Sequence, residues 1–264
     1  MFEQSLDRFF EKNGICKIRS TSSFLKHHSV LVNGERVFDI STKIDSENDR
    51  IFVDGVQIKN KKNIYVMMNK GLGVVCSRVS DSHKTIYDFF ADSIATDSNT
   101  TDSNTNFAND KNFHSCSTGL IFLTNNGSFS NFFEEPKNHL KKKYKVELEF
   151  PVSESEQKEY KEKIAKGFYI PPLKKDTGFT SKSANVEFQS QTKGTITLTE
   201  GKFRQVRRMF IQLGNNVVNL KRIEIGDIIL DESLEENNWR FLTQKELETL
   251  WNQKRTIEHL SKNK

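Results

Sequence analysis

The stretch from residue 112 to residue 127 constrains the fold more than any other part of this chain. It reads NFHSCSTGLIFLTNNG, so small polar residues lead into an apolar run at 120–123 and then into Asn126 and Gly127. The pattern predicts a tight loop, a short buried strand and a turn, in which Gly119 allows a close backbone passage and Asn126-Gly127 adopts positive φ. A loop that feeds a buried strand can hold a reactive side chain rigidly. The residue that this loop presents is His114.

The composition predicts a folded protein of one large domain, or of a small module and a larger one. The chain has 264 residues, of which 35% are hydrophobic. It contains no run of eighteen apolar residues, and its acidic amphipathic start lacks the regions of a signal peptide. We therefore expect a cytoplasmic protein without a membrane segment. The cysteines at 16, 76 and 116 are far apart and form no C-x-x-C pair, which argues against a disulfide scaffold or a bound metal.

The positive charge is concentrated in one part of the sequence. The net charge is only +5, but residues 201–222 carry six Lys or Arg and no acid. Five more lysines lie within 137–145, and a group of acids lies within 224–248. A basic band beside an acidic segment predicts a face that binds a polyanion, most commonly nucleic acid. On charge alone, a merely solvated surface remains the alternative.

The first sixty residues predict a compact unit of two short helices and two hairpins. Apolar residues at helical spacing occupy 2–12, and a second, basic helix is predicted over 15–29. VLVNGERV and DRIFVDG then predict two strand–turn–strand units around Asn33-Gly34 and Asp54-Gly55. The charged, apolar-free segment 59–63 predicts a boundary between a domain at 1–60 and a second domain at 64–264.

The second domain alternates strand patterns with helix patterns, which predicts an α+β fold. Strands are predicted at 64–68, 74–77, 144–150, 186–188, 195–199 and 217–220, and helices at 129–133 and 153–166, after a turn within 200–213, and from 243 to 247. The segment 91–111 has no apolar periodicity and contains TDSNT twice in succession. We expect it to be a mobile low-complexity insertion.

The N-terminal unit resembles the S-four-type RNA-binding domain, also called the alpha-L domain. The resemblance lies in GICKIRSTSSFL, VLVNGERV and DRIFVDG. That family grips structured RNA with its basic helix pair, which implies RNA contacts by Lys17, Arg19, Lys26 and Arg36. This chain has Lys17-Ile18-Arg19 where the family often has a denser basic run.

The larger unit resembles the RsuA-type pseudouridine synthases, which modify ribosomal RNA and carry an alpha-L domain before the catalytic domain. The similar blocks are YVMMNKGLGVVCS, STGLIFLTNNG, KKYKV, EGKFRQVRRMF with LKRIEIG, and WRFLTQKEL. The resemblance implies a central, mostly antiparallel sheet flanked by helices. It also implies uridine isomerisation in structured ribosomal RNA without a cofactor, by a protein that we expect to be a monomer that does not bind DNA.

The resemblance also implies roles for individual residues. Tyr144 would stack on the uracil base and assist proton removal, and Arg207 would pair with the catalytic aspartate. The implied RNA contacts of this domain are Lys70, Lys143, Arg204, Arg208, Lys221 and Arg222.

One departure from the family falls on the catalytic position. The family has its aspartate in Gly-Arg-Leu-Asp before the Thr/Ser-Gly-Leu element, and counting back from Gly119 places His114 there and Asn112 at the arginine. An imidazole can act as a general base near pH 7, but it is a poor mimic of a carboxylate that accepts a glycosyl group. Two hypotheses stay open: an isomerase of altered chemistry, and a non-catalytic RNA-binding protein that serves ribosomal RNA folding or ribosome assembly.

Overall fold

The computed structural model describes residues 3–45, 48–59, 63–77, 80–90, 115–173 and 176–262. His114 and the segment 91–111 lie outside these residues. The chain divides into two compact units, Met1–Asn63 and Ile64–Lys264.

The first unit is built from short strands and two short helices around its own apolar core. A four-stranded antiparallel sheet has the order β3-β2-β5-β6, and β1 pairs with β4. Its elements are β1 (Glu3–Ser5), α1 (Leu6–Lys12), α2 (Thr21–His27), β2 (Val30–Val32), β3 (Glu35–Arg36), β4 (Lys43–Asp45), β5 (Ile51–Val53) and β6 (Val56–Ile58). Both predicted hairpins are confirmed, with positive φ at the Asn-Gly and the Asp-Gly turn. The predicted second helix is shorter, because a 3-10 turn at Ile18–Ser20 precedes α2.

The second unit contains a mixed sheet whose main strand order is β12-β13-β9-β14-β8-β7-β16, with β15 paired to β14. Only β14 and β8 run parallel among its described pairs, so the predicted α+β fold with a mostly antiparallel sheet is confirmed. The sheet strands are β7 (Tyr65–Lys70), β8 (Thr118–Thr124), β9 (Lys142–Leu148), β12 (Asn185–Phe188), β13 (Lys193–Leu198), β14 (Val217–Ile225), β15 (Ile228–Ile229) and β16 (Trp239–Phe241). The remaining elements are the pair β10 (Tyr169–Ile170) and β11 (Phe179–Thr180), the helices α3 (Gly127–Glu134), α4 (Glu154–Lys166), α5 (Gln205–Gln212) and α6 (Gln244–Lys262), and 3-10 turns at Ile86–Phe89 and Pro136–Asn138.

Side chains alternate between the two faces of this sheet, as the strand period requires. The first face carries Met68, Ile121 and Tyr144 in the larger apolar core, which α5 also lines. The second face carries Met67 and Phe122 in a separate core with α3 and α6. The centre of the sheet is therefore covered on both faces, and β8 is buried along nearly all of its length.

The turn predicted after β8 takes a different form from the expected one. Neither Asn126 nor Gly127 adopts positive φ. Instead α3 begins at Gly127, and the Oδ1 atom of Asn126 accepts a hydrogen bond from the backbone of Phe129 at 3.2 Å. An asparagine that satisfies a free amide at the start of a helix has replaced the hairpin turn.

Candidate functional site

Gly119 brings β8 and β14 together at the edge of the candidate site. Its φ is +97°, and a Cβ built on it would overlap the carbonyl oxygen of Arg222 and lie 2.9 Å from its backbone nitrogen. Gly119 is directly opposite Arg222 in the parallel pair. The predicted close backbone passage is confirmed, and its partner is β14.

The loop before β8 is held from two sides. Position 114 itself is not described, but the carbonyl oxygen of Ser115 accepts a hydrogen bond from Gly73 at 3.0 Å. The carbonyl oxygen of Cys116 accepts one from Nη2 of Arg207 at 2.7 Å. The Nη1 atom of Arg207 donates to the carbonyl of Val217 at the start of β14. The half-buried Arg207 thus ties α5 to the residues that follow position 114 and to β14.

A transverse row of side chains crosses four strands on the first face. Tyr144 is directly opposite Arg222, Arg222 is opposite Gly119, and Gly119 is opposite Lys70. Tyr144, Arg222 and Lys70 are 8%, 1% and 0% exposed. Since directly opposed residues share a face, a phenol and two cations lie in line beneath the surface, next to the loop that Arg207 holds.

Each of the two buried cations donates hydrogen bonds to backbone carbonyls. The Nε atom of Arg222 donates to the carbonyl of Leu120 at 2.7 Å. The Nζ atom of Lys70 donates to Gly71 at 2.8 Å and to Val74 at 2.7 Å, which closes the turn after β7. Burial lowers the pKa of Lys70 to about 8, because desolvation disfavours its charged form.

Three predicted RNA contacts are therefore interior residues. Lys70 and Arg222 are buried as described, and Arg208 is 4% exposed. The Nη2 atom of Arg208 donates to the carbonyl of Pro171 at 2.6 Å, and its guanidinium lies 4.8 Å from the centre of the Phe179 ring. Their expected place on a solvent-facing basic surface is wrong. Each of the three instead ties backbone segments together from inside the fold.

The other predicted contacts are accessible. Lys17, Arg19, Lys26 and Arg36 are exposed on the first unit, and the Arg36 guanidinium lies 5.1 Å from the ring centre of the exposed Phe38. In the second unit Lys143, Arg204 and Lys221 are half-buried. Arg204 stands in left-handed conformation, with a φ of 49°, at the start of α5.

A cleft of about 500 Å³ opens where β7 ends and where β8 and β14 begin. The strand residues that line it are Asn69, Thr118, Val218, Asn219 and Lys221. Leu72, Cys116 and Glu236 complete its lining. The Oε1 atom of Glu236 accepts a hydrogen bond from the backbone of Leu72 at 3.1 Å, which fixes the rim.

Two residues of this arrangement were not predicted from the sequence. Asn219 and the exposed Lys145 were not predicted as site residues, although both lie beside Lys221. The signal for Lys145 was the alternation in β9: because Tyr144 and Val146 point to the core, Lys145 must point outward.

The described residues give no sign of a bound metal or a membrane span. They contain no group of three His, Cys, Asp or Glu side chains placed to hold a metal ion. Within the same residues, every helix is too short or too polar to cross a bilayer.

Comparison with known proteins identifies the class of this fold. A model of the family described as RNA pseudouridylate synthase matches residues 64–212, which is more than half of the chain. The chain therefore belongs to the RNA pseudouridylate synthase family, and its relatives place it with the RsuA-type members.

Those relatives are similar over most of their length. The chain is 35% identical over 252 residues to ribosomal small subunit pseudouridine synthase A of Haemophilus influenzae, covering 93% of this chain and 98% of that protein. It is 31% identical over 229 residues to the protein of the same name in Escherichia coli, covering 84% and 89%. A crystal structure of a pseudouridylate synthase superposes with a TM-score of 0.62 at 34% identity, covering 93% of this chain and 99% of that one.

Proposed function

We propose that this protein binds structured RNA of the small ribosomal subunit and presents a uridine to the loop that begins β8. The observation that carries the proposal is the anchoring of Cys116 by Arg207, beside a cleft with a lysine in its wall. The names of the relatives support small-subunit ribosomal RNA as the substrate class. A loop whose backbone is held from two sides is suited to position a reactive group against an extruded base.

The reaction is the isomerisation of uridine to pseudouridine. The bond between C1′ of the ribose and N1 of the base breaks, the base rotates, and C5 bonds to C1′. C5 then loses its proton and N1 gains one, so the atoms balance. Tyr144 is proposed to contact the base and Arg207 to orient the catalytic group, as the resemblance implies. No external oxidant, reductant or cofactor is needed, because the product is an isomer of the substrate.

His114 sets the expected rate. An imidazole can accept a proton, but it replaces the carboxylate that the family uses at the sugar. Loss of the central group of a catalytic unit commonly costs several orders of magnitude. We therefore expect turnover at least about a thousandfold below that of a His114→Asp variant.

The first prediction concerns tritium release from small-subunit RNA labelled at C5 of uridine. His114→Asp should create or strongly raise release, since it returns a carboxylate to a prepared site. His114→Asn is the matched control, because it removes the imidazole and adds a side chain of the same size as aspartate without charge. Tyr144→Phe in the His114→Asp background should lower release again.

The outcomes separate the two hypotheses. Release by the natural chain that is lost in His114→Asn would favour an isomerase of altered chemistry. No release by the natural chain, together with release by His114→Asp, would favour a non-catalytic RNA-binding protein, for which the replaced aspartate is the motivating observation. Failure of both chains to bind small-subunit RNA in a salt-dependent way would contradict the proposed function itself.

A further inference from the structure

The cleft lies on the opposite face of the sheet from Tyr144. Tyr144 and Arg222 are directly opposite each other and point to the first face. Lys221 is opposite Thr118, and each is one residue away from the Arg222–Gly119 pair, so both point to the second face. The residue expected to contact the target uracil therefore does not line this cleft.

Polar groups occupy the second face of the sheet beside the cleft, where β7 ends and where the neighbouring strands β8 and β14 begin. Asn69 shares the face of Met67 on β7, Thr118 that of Leu120 on β8, and Asn219 that of Lys221 on β14. The apolar core of the second face, including Met67 and Leu120, ends where these residues begin. Two of these groups also serve the fold, since Nδ2 of Asn69 donates to the carbonyl of Leu234 at 2.7 Å and Oγ1 of Thr118 to that of Leu220 at 3.3 Å. Their oxygen atoms, with the Asn219 amide and the Lys221 ammonium group, form a surface that can bind the polar edge of a nucleotide.

Two lysines meet at the margin of the cleft. Lys221 is directly opposite Lys145 in the antiparallel pair of β14 and β9, so their side chains share the second face. Like charges in directly opposed positions destabilise a sheet. Further along β9, Glu147 is opposite Lys193 and forms an ion pair with it at 3.8 Å, so opposite charges are matched there.

The like-charged pair has no acidic partner within the described part of the chain. The ion pairs found there include neither Lys145 nor Lys221. Lys143 lies two residues before Lys145 and points to the same side of β9. Two like charges are thus directly opposed at the entrance of a cleft, although such a pair destabilises a sheet. An unfavourable local arrangement of this kind is typical of a binding surface.

We propose that this cleft is a second nucleotide subsite, which binds a nucleotide of the same RNA outside the position of the target uridine. The phosphate lies between Lys145 and Lys221, and the base enters between Asn69 and Asn219. Glu236, at the far rim, is placed to accept a hydrogen bond from a ring or exocyclic N–H of that base. This proposal rests on the proposed function, because it assumes that RNA is the ligand.

The volume and the charge favour this occupant. A volume of about 500 Å³ is within the range of small-ligand pockets, which is roughly 300–1,000 Å³. A phosphate between Lys145 and Lys221 replaces their mutual repulsion with two attractive interactions. Leu72 and Val218, which are 68% and 57% exposed, offer apolar surface to the flat face of a base.

The test compares charge variants with a variant that fills the cleft, all in the full chain. The probe is a fluorescently labelled RNA hairpin with a single-stranded uridine loop, titrated at several salt concentrations. The association constant K falls as salt rises, so the slope of log K against log salt is negative. Lys145→Gln and Lys221→Gln should each reduce the magnitude of this slope by about 0.7–0.9. Between 50 and 200 mM salt, each variant then loses about threefold less affinity than the natural chain. Lys161→Gln, on the exposed side of α4, is the matched control and should leave the slope unchanged.

Two neutral variants test the cleft separately from its charge. Asn219→Phe should weaken binding without a change of slope, because it fills the space of the base and leaves the phosphate contacts. Asn219→Leu, which removes the amide but is smaller than phenylalanine, gives a milder version of the same effect if the larger substitution perturbs the fold. Lys145→Gln should also raise the melting temperature, by up to about 3 °C, because it removes a like-charge pair.

The proposal is overturned if the two cleft lysine variants and Asn219→Phe all bind with the affinity and slope of Lys161→Gln while the natural chain binds normally. In that case RNA binding stands and only the subsite is lost. If the natural chain itself shows no salt-dependent binding, the proposed function and the subsite fall together.

Discussion

Gly119 shows how one residue determines whether the site can form. Its positive φ disfavours any L side chain, and a Cβ at this position would meet the Arg222 backbone, which cannot move without separating β14 from β8. The positive φ of Gly119 and the lack of space for a Cβ atom both disfavour a substitution at this position. A substitution here therefore affects the strand that follows the loop as well as the strand that carries Lys221 and Arg222.

We predict that Gly119→Ala destabilises the protein by at least about 2 kcal/mol, from backbone strain and the displaced strand pair together. Urea unfolding followed by circular dichroism measures the change. Gly127→Ala is the matched control: a Cβ there meets nothing within 4 Å, its φ is not positive, and it begins a helix. The control should be neutral or slightly stabilising, and equal losses in both variants would contradict the argument.

The sequence predicted which regions of the chain are basic, but it did not predict which of the basic side chains are buried. Charge predicts solvent exposure by default, because an unpaired buried cation is costly. Arg208 and Arg222 offset part of that cost by donating to backbone carbonyls that only the folded chain brings near. For Arg222, the alternation in β14 was a usable signal, since it shares the parity of the buried Leu220. For Arg208 we find no comparable local signal.

At the scale of elements, the strand patterns were predicted and the strand neighbours were not. The alternation at 144–150 and 195–199 located β9 and β13, although each strand begins two residues earlier than predicted and β9 ends at Leu148. Nothing local in those segments shows that β14 lies between β9 and β8, because that order depends on pairings between residues far apart in sequence. The cleft and the row of Tyr144, Arg222 and Lys70 both depend on that order, so neither could be derived from the sequence alone.

The junction of β16 and α6 is an element-scale feature that the sequence did predict in part. The helix predicted from residue 243 begins with a capping box: Thr243 donates its backbone N–H to Oε2 of Glu246 at 2.8 Å, and Glu246 donates its own to Oγ1 of Thr243 at 3.3 Å. The structure adds Arg240, which binds both carboxylate oxygens of Glu246 and reaches Asp231 at 2.7 Å. These contacts join the loop beside the cleft rim to the last helix.

We predict that Arg240→Met lowers stability at pH 7 by about 1 kcal/mol, as for a bidentate pair in a small network. Hydrogen bonds from Ser233 and Arg240 lower the pKa of Asp231 to about 2, and the hydrogen bond from Arg240 lowers the pKa of Glu246. Carboxylates with lowered folded-state pKa values stabilise the fold above their unfolded-state values and lose that contribution as the pH falls through the folded-state values. The difference between the natural chain and Arg240→Met should therefore shrink between about pH 4.5 and pH 2.

Thermal unfolding across this pH range measures the difference. Arg255→Met is the control, because Arg255 lies on the same helix and is exposed, with a hydrogen bond to Asn252. A difference that stays constant down to pH 2 would mean that Arg240 acts through packing and not through the two carboxylates.

At the scale of the whole molecule, the two units are expected to divide the work of recognition. The first unit exposes Lys17, Arg19 and Lys26, whereas the second unit carries the cleft and the loop before β8. Contacts to phosphates supply affinity and positioning without reading the target base. Such contacts are the same before and during the reaction, so they should contribute to binding and not to the chemical step.

We predict that the double variant Lys17→Gln/Arg19→Gln reduces the magnitude of the slope of log K for RNA binding against log salt by about 1.5, because two phosphate contacts are lost. Lys43→Gln/Lys59→Gln removes the same charge from exposed positions of the same unit and should change the slope less. In the His114→Asp background, the first double variant should raise KM for tritium release and leave kcat unchanged, since uniform binding is lost. A fall in kcat with unchanged KM would show instead that the first unit takes part in the transition state, and equal slopes for both double variants would remove these two residues from the RNA interface.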